Sequence, residues 1–493
     1  MGLTTAISLC DCLPIIESKA PLEQKGMVSI DIHRSMVDSR PKVYWTDDPA
    51  APERAEPLVD AAGADLVVVG AGFTGLWAAI LAITESPGRS VVIVEADTAG
   101  FGASSRNGGF LEASLTHGIG NGISHWPKEF DLLERLGDEN FRAILDFIKD
   151  NDLDVGLEET GVIGVATEPW HVTEIKKTQA MHHRFAQSAE FLDRSTVRER
   201  VDSPTYLAGL YVPHGAAIIN PAQLAWGLRR VAENLGVVLF DDSPVTGIEE
   251  AGDRLVVTTP RGSVKASKVV VATNAYRSPV PKMRRFIVPV YDYVLITEPL
   301  TAKQMATLGW EGREGFSDVS SQFHYYRLTT DNRILWGGYD AIYRFNSAVG
   351  GRYDQAGSTH QILAEHFFET FPQLEDVTFT HRWGGPIATT SQFTATWGTS
   401  HGGDLSWVGG YTGLGVGATR FGARVALDLV DGATSELTEL EMVREQPMAF
   451  PPEPFRYAGI QMTRRAIARS DANQGRRGMW LKLLDRFGIG FDS

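Results

Sequence analysis

The sequence predicts an α/β fold in which a Rossmann-like dinucleotide-binding domain, assembled from discontinuous segments, is interleaved with a second lobe built on an antiparallel or mixed sheet. Three observations predict it. An apolar strand runs straight into Gly70-x-Gly72-x-x-Gly75 and a helix that is apolar nearly all round; the next strand ends on an acid, Glu95. Further on, Val288 to about Gly338 alternates and is rich in aromatics, the pattern of antiparallel strands.

Composition bounds the alternatives. A chain of 493 residues is too long for one ordinary core, and 43% hydrophobic with 22% charged residues excludes a disordered polymer. A net charge of −15 disfavours a broad grip on nucleic acid or an anionic membrane, so neither is expected as a partner. The two cysteines, Cys10 and Cys12, precede the first recognisable strand, so the main body has no disulfide framework and a reducing cytoplasm fits best. Two thiols cannot complete a tetrahedral site, and no metal is expected. No run of eighteen apolar residues and no signal-peptide pattern occurs, so neither a membrane span nor export is expected.

The elements follow in order. After a Pro, Ala and Asp-rich stretch from Pro41 to Gly63, Asp65–Gly70 reads as a strand, Leu76–Thr84 as a buried helix, and Ser90–Glu95 as a parallel strand. Pro127 to about Ser203 is mostly helical and charged, with Glu159–Val165 reading as a strand pair. Asn220 followed by Pro221 is an N-cap with proline at the first helical position, opening a helix to about Leu235. Leu255–Thr259 and Val264–Val271 read as a hairpin; the alternating stretch from Val288 reads as a sheet with one wet face; Trp407–Gly410 and Ala418–Val430 read as a strand and an amphipathic helix. The expected division is an N-terminal extension (1–40), nucleotide-domain segments 41–126, 204–286 and 381–440, substrate-lobe segments 127–203 and 287–380, and a C-terminal extension (441–493). That extension carries Arg464, Arg465, Arg469, Arg476 and Arg477 among apolar residues, and is expected to dock on the acidic body or a second subunit rather than on a membrane.

Three glycine-bearing stretches carry the chemistry. In the first, Gly70 allows the tight turn, Gly72 lets backbone approach a pyrophosphate, Gly75 allows close helix packing, and the helix N-terminus attracts phosphate; Phe73 and Thr74 lie between. Glu95 is placed to accept from a ribose diol, with Ala96 beside it. The second stretch, AGFGASSRNGGF, is a small-residue loop carrying Gly102, Ala103, Ser104, Arg106, Asn107, Gly108 and Gly109, and makes sense if the cofactor continues past its pyrophosphate into a large ring, as FAD does and NAD does not. The third, GGYTGLGVGATRFG, sets Gly413, Leu414, Gly415 and Val416 at a helix N-terminus, suited to the negative charge on a reduced flavin.

With these stretches in place the chain resembles the glycine oxidase, sarcosine oxidase and D-amino acid oxidase family, most closely its gamma-glutamylputrescine oxidase-like branch. The resemblance spans about Tyr44 to Asp431 and rests on VVVGAGFTGLWAA with VVIVEAD, then GFGASSRNGG, VVVATNAY, YYRLTTDNRILWGG, RWGGPIATT and GYTGLGVGATRFG in that order. It implies FAD as cofactor, backbone contact of Val245 with the adenine, Thr273 and Asn274 beside the cofactor, and Gly385 near the flavin ring. Members with covalent flavin use a C-terminal cysteine or a second-loop histidine, whereas here the body lacks cysteine and Asn107 stands at the histidine position, which implies non-covalent FAD. Gly417 stands where sarcosine oxidases place a carboxylate-binding lysine, and Leu414 where putrescine-type members often have histidine.

The expected function is oxidation of the C–N bond of a small amine by hydride transfer to flavin, with oxygen as acceptor, which requires positioning and desolvation more than a dedicated base. Pocket walls are sought among His324, Tyr325, Tyr326, Arg327, Tyr293, Tyr339 and Trp383, since aromatic faces favour a substrate cation. Tyr325, Trp383 and Arg327 are the catalytic candidates; Arg327 either binds a distant carboxylate or pairs with Asp331 or Asp340, and Lys303 is more simply a surface lysine than an oxygen-activating one. The alternatives are an amino-acid or 2-hydroxy acid dehydrogenase passing electrons to a carrier, and a catalytically silent flavin-binding module. Oligomeric state is not readable from the sequence.

Overall fold

A computed structural model describes residues 31–486; Cys10 and Cys12 lie outside the described residues. Two sheets organise the chain. In the first, the strands Leu405–Gly409, Gly262–Val271, Asp60–Val69, Val91–Val94 and Val238–Phe240 run parallel side by side. Thr396–Ser400 closes one edge antiparallel, and the meander Gly247–Ala251, Arg254–Thr258, Gly262–Val271 grows off the centre. Parallel strands must be covered on both faces, which is why VVIV and VVV here are unbroken apolar runs. The helices Phe73–Glu85, Pro221–Asn234 and Gly415–Asp431 supply the largest core on one face. Asn220 does cap its helix: its side chain accepts from the backbone N–H of Ala222 and Gln223, with Pro221 at the first position.

The second sheet has nine strands, ordered Ile342–Tyr343, Val288–Thr297, Ile334–Gly338, His324–Leu328, Gly315–Asp318, Val162–Ala166, Ala208–Val212 and Glu190–Leu192, with Phe379–Thr389 on the other edge of Val288–Thr297. Strand alternation sorts its side chains. Tyr291, Tyr293, Leu295, Tyr326, Leu328 and Trp336 face an aromatic core closed by the helix Gly357–Thr370, while Val294, Ile296, Tyr325, Leu335 and Trp383 share a cluster with Trp45 on the other face.

Three expectations need correction. The sheet has no wet face at Tyr326–Leu328 and Ile334–Gly338, because one side is covered by that helix and the other by the loops of the nucleotide sheet. Glu159–Val165 is not a strand pair: one strand, Val162–Ala166, finds its partners 40 and more residues away, at Ala208–Val212 and Gly315–Asp318. The second sheet also takes Ala208–Val212 and, past residue 380, most of Phe379–Thr389 from stretches expected in the nucleotide domain, because their hydrogen-bond partners lie in the second sheet.

The C-terminal helix Phe455–Ala472 folds back on the body. Arg464 pairs with Asp340 at 2.6 Å, and Asp471 accepts from the backbone of Gln322 at 3.0 Å. No helix among the described residues is long and apolar enough to cross a membrane.

Candidate flavin and substrate site

The three glycine stretches meet. Gly72 opens the helix Phe73–Glu85, and the Phe73 backbone N–H donates to the Ser104 hydroxyl of the second loop at 2.9 Å. The Gly100 N–H reaches the Ala71 carbonyl, fixing the second loop under the first turn. From the third stretch Tyr411 accepts a hydrogen bond from Thr74 at 2.9 Å, and the Gly410 N–H donates to the Asn274 side chain at 3.0 Å. Asn274 follows Thr273 just past the end of the central strand, so four segments drawn from residues 70 to 422 share one locus. Close approach is enforced at Gly75, where an added Cβ would stand 1.8 Å from the Gly70 carbonyl oxygen.

Glu95 takes the Ala71 N–H on one oxygen at 2.7 Å and the Asp97 N–H on the other at 2.9 Å, while burial raises its carboxyl. It sits at the lip of the first turn, where an acid receiving a ribose diol belongs. Ala96 is exposed beside it. Ser243 donates its N–H to the Glu95 carbonyl at 2.7 Å, which brings Val245, two residues on, to the same end of the sheet.

The second loop is clamped at its carbonyls. Trp383 Nε1 donates to the Arg106 carbonyl, Trp45 Nε1 to the Asn107 carbonyl and Arg327 Nε to the Gly108 carbonyl, each at 2.9 Å. The Ile219 N–H holds the Gly109 carbonyl, also at 2.9 Å. Asn107 closes the turn from inside, donating to the Ala103 and Ser104 carbonyls and accepting from the Gly109 N–H. Gly102 lies under Tyr276, and Arg106 spans to Asp354 at 2.7 Å and to the Gly384 carbonyl at 3.1 Å, with its aliphatic stem against Gly385.

Two of the three catalytic candidates are therefore committed to backbone. Arg327 is buried, stacks on Trp45, and spends its remaining donors on the Leu328 and Ile219 carbonyls; it pairs with neither Asp331, which takes Arg333, nor Asp340, which takes Arg464. Burial pushes its guanidinium down to about 9. Trp383 is buried against Val294, Leu335 and Tyr325.

Tyr325 differs. Its ring lies over Gly108 and Gly337 and meets Phe110 edge-on, and its hydroxyl donates to Asp292 at 2.6 Å. Burial lifts the Asp292 carboxyl to about 6 against the lowering pull of that hydrogen bond, and lifts the tyrosine well above its usual range. Asp292 stands opposite Gly385 in the strand register. The other wall candidates turn elsewhere: Tyr326 bonds Tyr206 in the outer core, Tyr293 donates to the Tyr353 carbonyl, His324 bonds Asp318 and His366, and Tyr339 stacks on His324. Lys303 is exposed.

The sequence reading missed Asp292, Trp45 and Tyr411. Asp292 had a signal: it is a lone acid in the apolar strand VPVYDYVLIT.

Gly413 and Gly415 open the helix Gly415–Asp431 behind Leu414, and no side chain caps it; Val416 is buried in its first turn. This uncapped helix start, the short turn at Gly70–Gly75 and the acid at its lip fit a flavin dinucleotide. Comparison with known proteins agrees. Residues 65–429 match the family described as FAD dependent oxidoreductase. The chain belongs to that family. Relatives include "Gamma-glutamylputrescine oxidoreductase" of Escherichia coli, 30% identical over 374 residues (75% of this chain, 84% of that protein). Another is "Probable oxidoreductase OrdL" of Haemophilus influenzae, 28% identical over 412 residues (81% and 90%). Among solved structures, glycine oxidase from Geobacillus kaustophilus superposes with a TM-score of 0.66 at 19% identity, covering 78% of this chain and 99% of that one. The protein is thus an FAD-dependent oxidoreductase, and at the second-loop position Asn107 is occupied within its own loop.

Proposed function

We propose that this oxidoreductase oxidises the C–N bond of a small amine, with oxygen as the electron acceptor. The observation that carries the reading is the charge of the inner sheet face. Arg327 is spent on carbonyls and Arg106 on Asp354. At Gly417 an added Cβ would meet the Glu112 carbonyl oxygen at 2.0 Å, so no side chain projects there. Neither arginine is thus left to clamp an amino-acid or hydroxy-acid carboxylate, and Gly417 supplies no cation, while Tyr325 and Asp292 offer an aromatic face and an anion to an ammonium group. The relationship to a protein named for gamma-glutamylputrescine points the same way.

Bound FAD supplies the two-electron acceptor for the hydride that leaves the carbon beside nitrogen. The chain supplies the rest. An ammonium must lose a proton before that carbon can release hydride; the Tyr325 hydroxyl oxygen accepts it as the tyrosine proton passes to Asp292, 2.6 Å away. Trp383, Trp45 and Arg327 hold the second loop so that the reacting atoms keep their alignment. The imine product then hydrolyses in water. The residues proposed to touch the cofactor are those of the three glycine stretches with Glu95, Val245, Thr273, Asn274 and Gly385.

Anaerobic mixing of the holoenzyme with polyamines, N-methyl amines, amino acids and hydroxy acids tests the substrate class: amines should bleach the flavin. Bleaching by hydroxy acids alone would sink it. Oxygen uptake with peroxide release under turnover checks the acceptor, and turnover that needs an added carrier would replace oxygen with that carrier.

A further inference from the structure

Glu112 ends the short strand Phe110–Glu112, which leaves the clamped second loop and pairs with Ala216–Ile218. Alternation sends Leu111 into the nucleotide-domain core, and Phe110 and Glu112 project together from the opposite face. Phe110 meets Tyr325 edge-on at 5.9 Å, so that face looks onto the space Tyr325 borders. The Glu112 backbone also packs against Gly417, at the start of the helix that carries the third glycine stretch. Glu112 thus lies at the joint of two cofactor-contacting segments and the substrate sheet.

The Glu112 carboxylate differs from the other acids of the site. Among the described residues no hydrogen bond or ion pair reaches it, whereas Glu95 is satisfied by two backbone N–H groups and Asp292 by Tyr325. Burial alone raises the Glu112 carboxyl, with no neighbouring charge acting on it. The residue is half-buried, so a cationic group can still reach the carboxylate, and covering it without a counter-charge would be unfavourable. The guanidinium groups of Arg327 and Arg106 are already committed.

We propose that Glu112 receives a second positive charge of the substrate, so that the site takes an α,ω-diamine or polyamine in preference to a monoamine or an amino acid. The inference rests on the amine reading of the site and deepens it: one nitrogen lies at the Tyr325–Asp292 pair and undergoes oxidation, while a distal ammonium pairs with Glu112. A substrate carboxylate would meet like charge there, which disfavours α-amino acids.

The test uses the holoenzyme and two matched series, linear α,ω-diamines and n-alkyl monoamines of equal carbon number. Calorimetric binding and the anaerobic rate of flavin reduction are both measured. In the native chain one diamine length should bind at least about tenfold more tightly than its monoamine, the scale of a charge-assisted hydrogen bond. Glu112→Gln should erase that difference while leaving monoamine binding unchanged. Glu112→Asp, shorter by one methylene, keeps the charge and should move the preferred diamine about one carbon longer, so the idea stays exposed if the glutamine variant does not fold. Equal diamine preference in native and Glu112→Gln chains, or an unmoved optimum in Glu112→Asp, overturns the proposal. The amine reading fails separately: if neither series bleaches the flavin, oxidation of amines is wrong, and calorimetry still decides whether Glu112 reads a second charge.

Discussion

Replacing Arg327 with methionine separates a residue that acts on substrate from one that holds the cofactor loop. The native guanidinium donates to three buried carbonyls, those of Gly108 at 2.9 Å, Ile219 at 2.5 Å and Leu328 at 3.1 Å, and stacks on Trp45. Each hydrogen bond from a charged donor contributes about 1.5–3 kcal/mol, and each buried acceptor left bare costs about 1–3 kcal/mol. Against this, methionine relieves the cost of burying a charge, the cost that pushes the guanidinium down to about 9. The net loss should be about 3–5 kcal/mol, in line with removing one member of a buried ionic contact. Because Gly108 belongs to the second glycine loop, part of that loss should appear as weaker FAD binding, tenfold or more. Equilibrium unfolding in urea gives the first quantity, and recovery of flavin fluorescence on release from the protein gives the second. Arg327→Lys, which keeps the charge but not the fork of donors, should fall between. If Arg327→Met unfolds at the native urea concentration, keeps FAD with native affinity and loses only turnover, the loop-holding argument is refuted and the arginine acts on substrate.

Three further outcomes follow from the same geometry. Burial raises Asp292 to about 6, so kcat/KM should climb from acid pH and level off above about 6; folded-state stability should fall as pH rises from the ordinary carboxylate value to about 6, where the folded chain keeps a proton the unfolded chain has released. Both dependences should vanish in Asp292→Asn, as checked by pH–rate and pH–denaturation profiles. Gly75→Ala would drive a Cβ to within 1.8 Å of the Gly70 carbonyl, so the variant should purify colourless or insoluble; a yellow protein with native flavin content would contradict that packing. Stripping FAD and restoring it at 100 times its Kd should return about 2.7 kcal/mol of unfolding free energy, read as a ligand-dependent shift in the denaturant midpoint.

How much was legible depended on whether a residue's meaning is local. Gly70, Gly72, Gly75 and Glu95 are a strand–turn–helix–strand unit with every part in sequence order, and Asn220-Pro221 is a cap that needs only its own helix. Strand partners were the weak point. Val162–Ala166 is one strand whose neighbours are distant, so its segment resembled a self-contained pair. Trp45 sits in a Pro- and Asp-rich run with no period, and its partner Asn107 is 62 residues on. Tyr411 and Thr74 are 337 residues apart. Tyr325 and Arg327 lie two apart on one strand face, yet only the register of four strands reveals that one hydroxyl finds Asp292 while the guanidinium finds backbone.

The clamp on residues 106–109 ties the two sheets together in a way glycine composition alone could not. A loop of small residues can approach a flat ring closely, yet every glycine it uses also increases the freedom it must lose on ordering. Here that freedom is removed by donors from outside the loop: Trp45 ahead of the first strand, Ile219 beside the second helix of the nucleotide domain, and Arg327 and Trp383 on the substrate sheet. Two of those four donors come from strands that also carry Tyr325 and the backbone opposite Asp292, so the geometry of this glycine loop and of the proposed substrate wall are set by the same elements. Substitutions among the wall aromatics should accordingly change FAD affinity along with turnover, whereas Glu112, which takes no part in the clamp, is the position where substrate preference can move while the cofactor stays held.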